Sequence, residues 1–168
     1  VSVPRIFGAT PEAGLILLED LGHQSLKALL ESDPSHEKSL FRDCIDLLIH
    51  IRKQGHLSLP CPSSSELVTW TALADEYYPG IESARLDGFR SVLQGELQEA
   101  VCFKPTVSQR DFHAENIMLI PERQGIRRLG LLDYQDAILT HPVYDLVSLL
   151  TDARRFVSPE LREEMIAT

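Results

Sequence analysis

Two short apolar runs, inside NIMLIP (116–121) and RRLGLLDY (127–134), are joined through the polar connector ERQG, which carries Gly125. Each run is too brief for a helix and is bounded by turn residues, so the pair reads as two strands across a tight loop. An antiparallel pair brings the start of one strand beside the end of the next. That constrains this chain strongly, because polar groups crowd both places. SQRDFHAEN (108–116) leads into the first strand, and Asp133 closes the second. Asn116 and Asp133 are therefore expected at one edge of the hairpin, with Asp111 beside them.

The remainder reads as mostly helical. GLILL (14–18) is expected to be a buried strand, ended by a connector at Gly22. Ser25–Glu31 suits a short helix. Asp33 and Pro34 fit the N-cap and first position of a longer one. Leu40, Phe41, Cys44, Ile45, Leu47, Leu48 and Ile51 follow at helical spacing, with Gly55 placed as its terminator. LPCPSSSE (59–66) is a loop. In it Ser63 and Glu66 have capping-box spacing for a helix to about Tyr78, broken by Pro79 and Gly80. A further helix is expected from about Glu82 to Val101, another from Pro142, and a last one capped by Ser158 and Pro159 that still runs at the end of the chain. The order predicts an α+β fold, mostly helical.

The 168 residues suffice for one domain or one large lobe. A net charge of −9, with no basic run longer than a pair such as Arg127 and Arg128, disfavours nucleic acid as a partner. It is compatible with a metal-bound nucleotide, where the cation supplies positive charge locally. No apolar run approaches the roughly 20 residues of a membrane helix. Three scattered cysteines, Cys44, Cys61 and Cys102, suit buried free thiols in a reducing cytoplasm. The chain opens on Val, as a processed product or a fragment would.

Two carboxylates and an amide oxygen around one point suit Mg²⁺, which keeps positions for water and phosphate oxygens. A carboxylate that binds no metal can accept a proton from an attacking hydroxyl. QRDFHAEN has the spacing of the kinase catalytic loop, H-R-D-x-x-x-x-N, with Gln109 in place of the leading His, and LLDYQ stands where protein kinases have D-F-G.

RDFHAENIML followed by LGLLDYQDAILTHPVYDLVSLL resembles the aminoglycoside phosphotransferase (APH)/choline kinase-like family, which has the protein-kinase-like fold. The wording around 130–156 is similar to bacterial anomeric N-acetylmuramate/N-acetylglucosamine kinases of cell-wall sugar recycling. The resemblance covers roughly residues 14–22 and 105–156. It implies the following roles. Asp111 is the catalytic base or hydroxyl-positioning group. Asn116 and Asp133 hold Mg²⁺ against ATP. The Glu19–Asp20–Leu21 backbone bonds adenine, and Met118 lies near its underside. His113 either shapes the loop or approaches substrate. Asp136 either lines a sugar site or caps the turn after Asp133. Asp145 braces the catalytic loop, and Arg154 and Arg155 are expected at a solvated helix end. The implied partners are a nucleotide and a small sugar or amino sugar, in the cytoplasm, with no membrane or nucleic acid.

Such a kinase also needs a glycine-rich loop and a strand Lys upstream. Only 13 residues precede GLILL, and they hold neither. The expectation is therefore the C-terminal lobe of the fold with the N-terminal lobe missing. Residues 1–24 would be the last N-lobe strand and the hinge. Residues 25–168 would be the helical lobe, with its catalytic loop and metal-binding hairpin at 108–136. The fragment alone is expected to be inactive. Aminoglycoside or other small-alcohol kinases, and a pseudokinase-like binding module, are the alternatives. Keeping Asp111, Asn116 and Asp133 together speaks against the last.

Overall fold

Helical spacing of apolar residues after Pro34 produces the central helix of the structure, α2 (Glu37–Lys53), which buries Leu40, Phe41, Cys44, Ile45 and Leu47. A computed structural model describes residues 1–53, 58–77, 80–100 and 103–168. The elements run β1 (Ile6–Thr10), β2 (Leu15–Leu18), α1 (Leu26–Ser32), α2, α3 (Ser64–Thr69), α4 (Leu73–Tyr77), α5 (Ser83–Ala100), β3 (Thr106–Ser108), β4 (Ile117–Leu119), β5 (Leu129–Leu131), β6 (Ile138–Thr140), α6 (Tyr144–Leu150) and α7 (Pro159–Ile166). Helix and strand are mixed. Gly55, Tyr78, Pro79, Val101 and Cys102 lie outside the described residues, and with them the expected ends of three helices and one of the thiols.

The chain divides into two units. One holds residues 1–55, 109–136 and 143–168; the other holds 56–108 and 137–142. In the first unit, α2 packs with the β4–β5 hairpin and α6 and α7 around Phe41, Leu47, Phe112, Ile117, Leu129, Leu149, Val157 and Met165. In the second, Ser63 and Glu66 form the expected capping box of α3, and Arg90 of α5 pairs with Asp75 of α4. There β3 and β6 pair antiparallel, with Val107 opposite Leu139.

Several expectations are corrected. GLILL does form a strand, but it is not buried: Leu15, Ile16, Leu17 and Leu18 are 47–65% exposed. Its partner is β1, with Ala9 opposite Ile16, which the sequence reading left unassigned. A two-stranded ribbon buries neither face by itself, and every residue of β1 and β2 is exposed. Asp33 caps a 3-10 turn, Pro34–His36, ahead of α2 and not α2 itself. The helix expected from Pro142 begins at Tyr144 and stops at Leu150; Leu149 and Leu150 are core, while Val147 and, just before the helix, Val143 are exposed. The last helix closes at Ile166. Cys44 is buried, which raises its thiol pKa, whereas Cys61 is exposed.

Candidate active site

The β4–β5 register sets Ile117 opposite Leu131, Met118 opposite Gly130 and Leu119 opposite Leu129. One step beyond the ladder, the Leu132 N–H donates to the Asn116 carbonyl at 2.9 Å. The Leu132 carbonyl in turn accepts from the Gln109 side-chain amide. The backbone immediately before Asp133 is thus gripped from both sides, by the first and last residues of QRDFHAEN. Residues 116 and 133 lie at the same end of the hairpin, as the sequence pattern predicts. Gln109 is buried, and the sequence reading noted it only as the missing His of a kinase motif.

Asp145, near the start of α6, is 4% exposed. Its two carboxylate oxygens accept from the Gln109 N–H at 2.8 Å and the Arg110 N–H at 3.2 Å. Charge-assisted bonds of this kind hold backbone firmly, and they fulfil the bracing role expected of Asp145. They are needed because Arg110 has φ 76°. Arg110 and Asp133 (φ 58°) are the two non-glycine residues with left-handed backbone among the described residues. Such conformations persist only where surrounding structure enforces them, and here both flank one loop and one hairpin edge. Tyr144 lies near Arg110 and Asp111, and burial raises the pKa of its hydroxyl.

Between these clamps the loop turns tightly. The His113 N–H donates to the Asp111 carbonyl at 3.0 Å, and the Asn116 N–H to the His113 carbonyl at 2.9 Å. Phe112 and Ala114 point into the core, 0% and 1% exposed. Asp111, just ahead of the buried stretch Phe112–His113–Ala114, stays partly open. The Ala114 carbonyl accepts from the Lys27 N–H at 3.0 Å, and the Lys27 ammonium pairs with Glu115. That bond raises the Lys27 pKa and lowers that of Glu115. Arg154 reaches Glu115 from the other side at 3.3 Å. Arg155 pairs with Glu37 and lies 5.3 Å from the Phe41 ring centre. Neither arginine is at a helix end, because α6 has already closed. Both instead tie the segment after α6 back to the rest of the unit.

Asp133 is exposed, and one of its carboxylate oxygens accepts from the Gln135 amide. Asp136 is exposed three residues further on. The bond made to Asp133 within that turn comes from Gln135, which the sequence reading passed over. His113 is 7% exposed, so it is held within the loop. Among the described residues no three His, Cys, Asp or Glu side chains form a metal cluster. A cation at Asn116 and Asp133 would have oxygen donors only and would complete its shell with water or phosphate, the habit of Mg²⁺.

Of the residues implied to contact the base, Leu21 and Met118 pack with Ile120 into a small cluster against Leu132. A methyl on Gly130 would fall 2.7 Å from the Leu21 side chain and 2.9 Å from that of Ile120, so this floor is set by a residue without a Cβ. The Glu19 N–H is already committed to the Arg5 carbonyl at 2.8 Å, and its carboxylate accepts from Arg123 at 2.7 Å. A cleft of about 550 Å³ is lined by residues 19–24 and 119–123, which include Glu19, Asp20 and Leu21 but not Met118.

The family model described as the phosphotransferase enzyme family, APH, matches residues 1–168. The chain belongs to this family. It is 35% identical over 175 residues to an N-acetylmuramate/N-acetylglucosamine kinase of Caulobacter vibrioides, covering 95% of this chain and 48% of that one. An enzyme with the same name from Pseudomonas putida is 31% identical, at 98% and 48% coverage. The chain spans about half the length of these curated relatives. Among solved structures it resembles choline kinase LicA from Streptococcus pneumoniae, with a TM-score of 0.69, 17% identity, and 98% and 54% coverage. It also resembles the GDP complex of aminoglycoside 2'-phosphotransferase-IIIa, with a TM-score of 0.64, 15% identity, and 99% and 59% coverage. At such identities the likeness concerns the fold: these helices and strands follow the kinase-like APH and choline kinase architecture. No helix among the described residues is long and apolar enough to cross a membrane.

Proposed function

We propose that this chain is the hinge and catalytic C-terminal lobe of a small-molecule kinase, with residues 1–24, which carry β1 and β2, as the end of the N-lobe and the hinge. The reaction is transfer of the ATP γ-phosphate to a hydroxyl of an amino sugar. The observation that carries the reading is the double grip on Leu132. It supports the reading by holding the backbone just before Asp133 to Asn116 and to Gln109, at the start of the loop that bears Asp111. Against a non-catalytic binding module stands the retention of Asp111, Asn116 and Asp133 together, since such a module needs none of the three for chemistry. The names of the curated relatives support the acceptor class.

Asn116 and Asp133 would hold Mg²⁺ through oxygen atoms. When bound, that ion neutralises charge on the transferring phosphate. Asp111 would accept the acceptor hydroxyl's proton and keep its oxygen in line with the γ-phosphate. The transition state is loose, so positioning carries much of the rate. Asp145 and Gln109 serve that positioning by fixing the backbone just before Asp111 and tying it to Leu132, next to Asp133. The cluster of Leu21, Met118, Ile120 and Leu132 would form an apolar floor for the base, and Asp136 belongs to the rim open to substrate.

The glycine-rich loop and strand Lys that transfer requires are not among these residues, so the lobe alone is expected to be inactive and the full chain is the one to assay. A panel of N-acetylated amino sugars, hexoses, choline and aminoglycosides with ATP and Mg²⁺ tests the proposal. Turnover led by the amino sugars supports it; a preference for aminoglycosides or choline overturns the acceptor assignment.

A further inference from the structure

The Asn116 side chain is used twice inside the loop. Its Nδ2 donates to the Asp111 carbonyl at 3.1 Å and contacts the His113 Nε2 at 3.3 Å. A carbonyl oxygen can only accept, so the nitrogen end of the amide must face inward, which decides between the two ways round. Because the Asn116 Nδ2 is a donor, the His113 Nε2 takes the acceptor's part in the second contact. The Asn116 Oδ1 is then the end of the amide that makes no hydrogen bond among the described residues.

One tether would not suffice. The terminal torsion of an Asn is broad, so a single bond to the Asp111 carbonyl leaves the direction of Oδ1 loosely defined. Two acceptors on different residues, engaging one nitrogen, fix the amide plane. His113 can serve as the second because the fully buried Phe112 and Ala114 on either side of it leave the ring little room to move. The His113 Nδ1 is buried and has no partner among the described residues.

We infer that His113 is a positioning residue: its Nε2 locks the Asn116 amide so that oxygen, not NH₂, is the end offered to a cation at the Asp133 edge. The inference rests on the reading of Asn116 and Asp133 as cation ligands. Turned the other way, the amide would offer two hydrogens to a positive ion.

The test uses the full chain, Mn²⁺ as a paramagnetic stand-in, and a non-hydrolysable ATP analogue, with Mn²⁺ binding read by electron paramagnetic resonance. His113→Leu removes the acceptor. It is expected to weaken Mn²⁺ binding by about tenfold or more, the effect of losing a partner that orients a ligand, while metal-free binding of the analogue stays within about twofold. His113→Gln keeps an oxygen near the Nε2 position and is expected to restore Mn²⁺ binding. If the Leu variant does not fold, His113→Asn replaces it: polar but too short to reach, it should behave as Leu does. Parent-like Mn²⁺ binding in the Leu or Asn variant, alongside loss in Asp133→Asn, overturns the inference and leaves the proposed function standing. A Gln variant as weak as Leu also overturns it. Parent-like binding in Asp133→Asn overturns the proposed function itself.

Discussion

The first unit contains two antiparallel hairpins of similar size in opposite surroundings. In β4–β5, Ile117 and Leu129 are fully buried and Leu131 is 4% exposed, because α2 and the loop around Phe112 cover one side. In β1–β2, Leu15, Ile16 and Leu17 are each about two-thirds exposed. Apolar composition makes both into strands, but burial comes from what packs on them. The polar chemistry gathers on the covered hairpin, where backbone can be held in a strained conformation by surrounding structure. The open hairpin carries no such group on its strands.

The largest expected effect tests whether the covered hairpin has a chemical role. In the full chain, Asp111→Asn should lower the turnover number by about 10²–10⁴, the range for loss of a general base, with the melting temperature unchanged. A variant that keeps full turnover would reduce the covered hairpin to a structural element. Next comes stability. Leu129→Ala should destabilise the chain by about 2–5 kcal/mol, whereas Ile16→Ala in the 168-residue chain should stay within about 0.5 kcal/mol. Urea denaturation of the two variants measures the contrast, and equal losses would erase it.

Asp145→Asn sharpens the comparison at the brace. Losing charge-assisted bonds to two backbone N–H groups should cost about 1.5–3 kcal/mol and lower kcat more than it raises KM. Gly130→Ala should cost about 1–3 kcal/mol by overpacking against Leu21 and Ile120, and it should weaken nucleotide binding through the same floor. The smallest effect is expected at the half-buried Lys27–Glu115 pair. Its Glu115 contribution is present above the ordinary carboxylate value of 4.5 and fades as pH falls through the lowered native value. Its Lys27 contribution is present below 10.5 and fades as pH rises through the raised one. Lys27→Met should therefore flatten a pH–stability profile only at its acid and alkaline ends.

Much of the covered region could be read from residue order. Two apolar runs of strand length around one glycine connector specify a hairpin and its register, and the register specifies which polar residues share an edge. Capping chemistry likewise announced itself at Ser63, Glu66, Ser158 and Pro159. What residue order did not disclose was tertiary. An apolar strand reads the same whether or not anything covers it, so the exposure of Leu15–Leu18 was invisible. Nothing in Gln109 taken alone says that its amide will span to Leu132, nor in Gln135 that it will meet Asp133. Arg154 and Arg155 looked like a helix end because Glu115 and Glu37, their partners, are distant in sequence. The strain at Arg110 has no sequence signal either, since a non-glycine residue gives no hint of a positive φ.

The central claim is that Asn116 and Asp133 share one divalent cation at the edge of the covered hairpin. Anomalous diffraction from crystals of the full chain grown with Mn²⁺ and a nucleotide measures this directly. The account predicts one manganese peak within coordination distance, about 2.1–2.2 Å, of both the Asp133 carboxylate and the Asn116 Oδ1. A nucleotide-bound manganese held by other residues, with the Asn116 oxygen turned away, would contradict it.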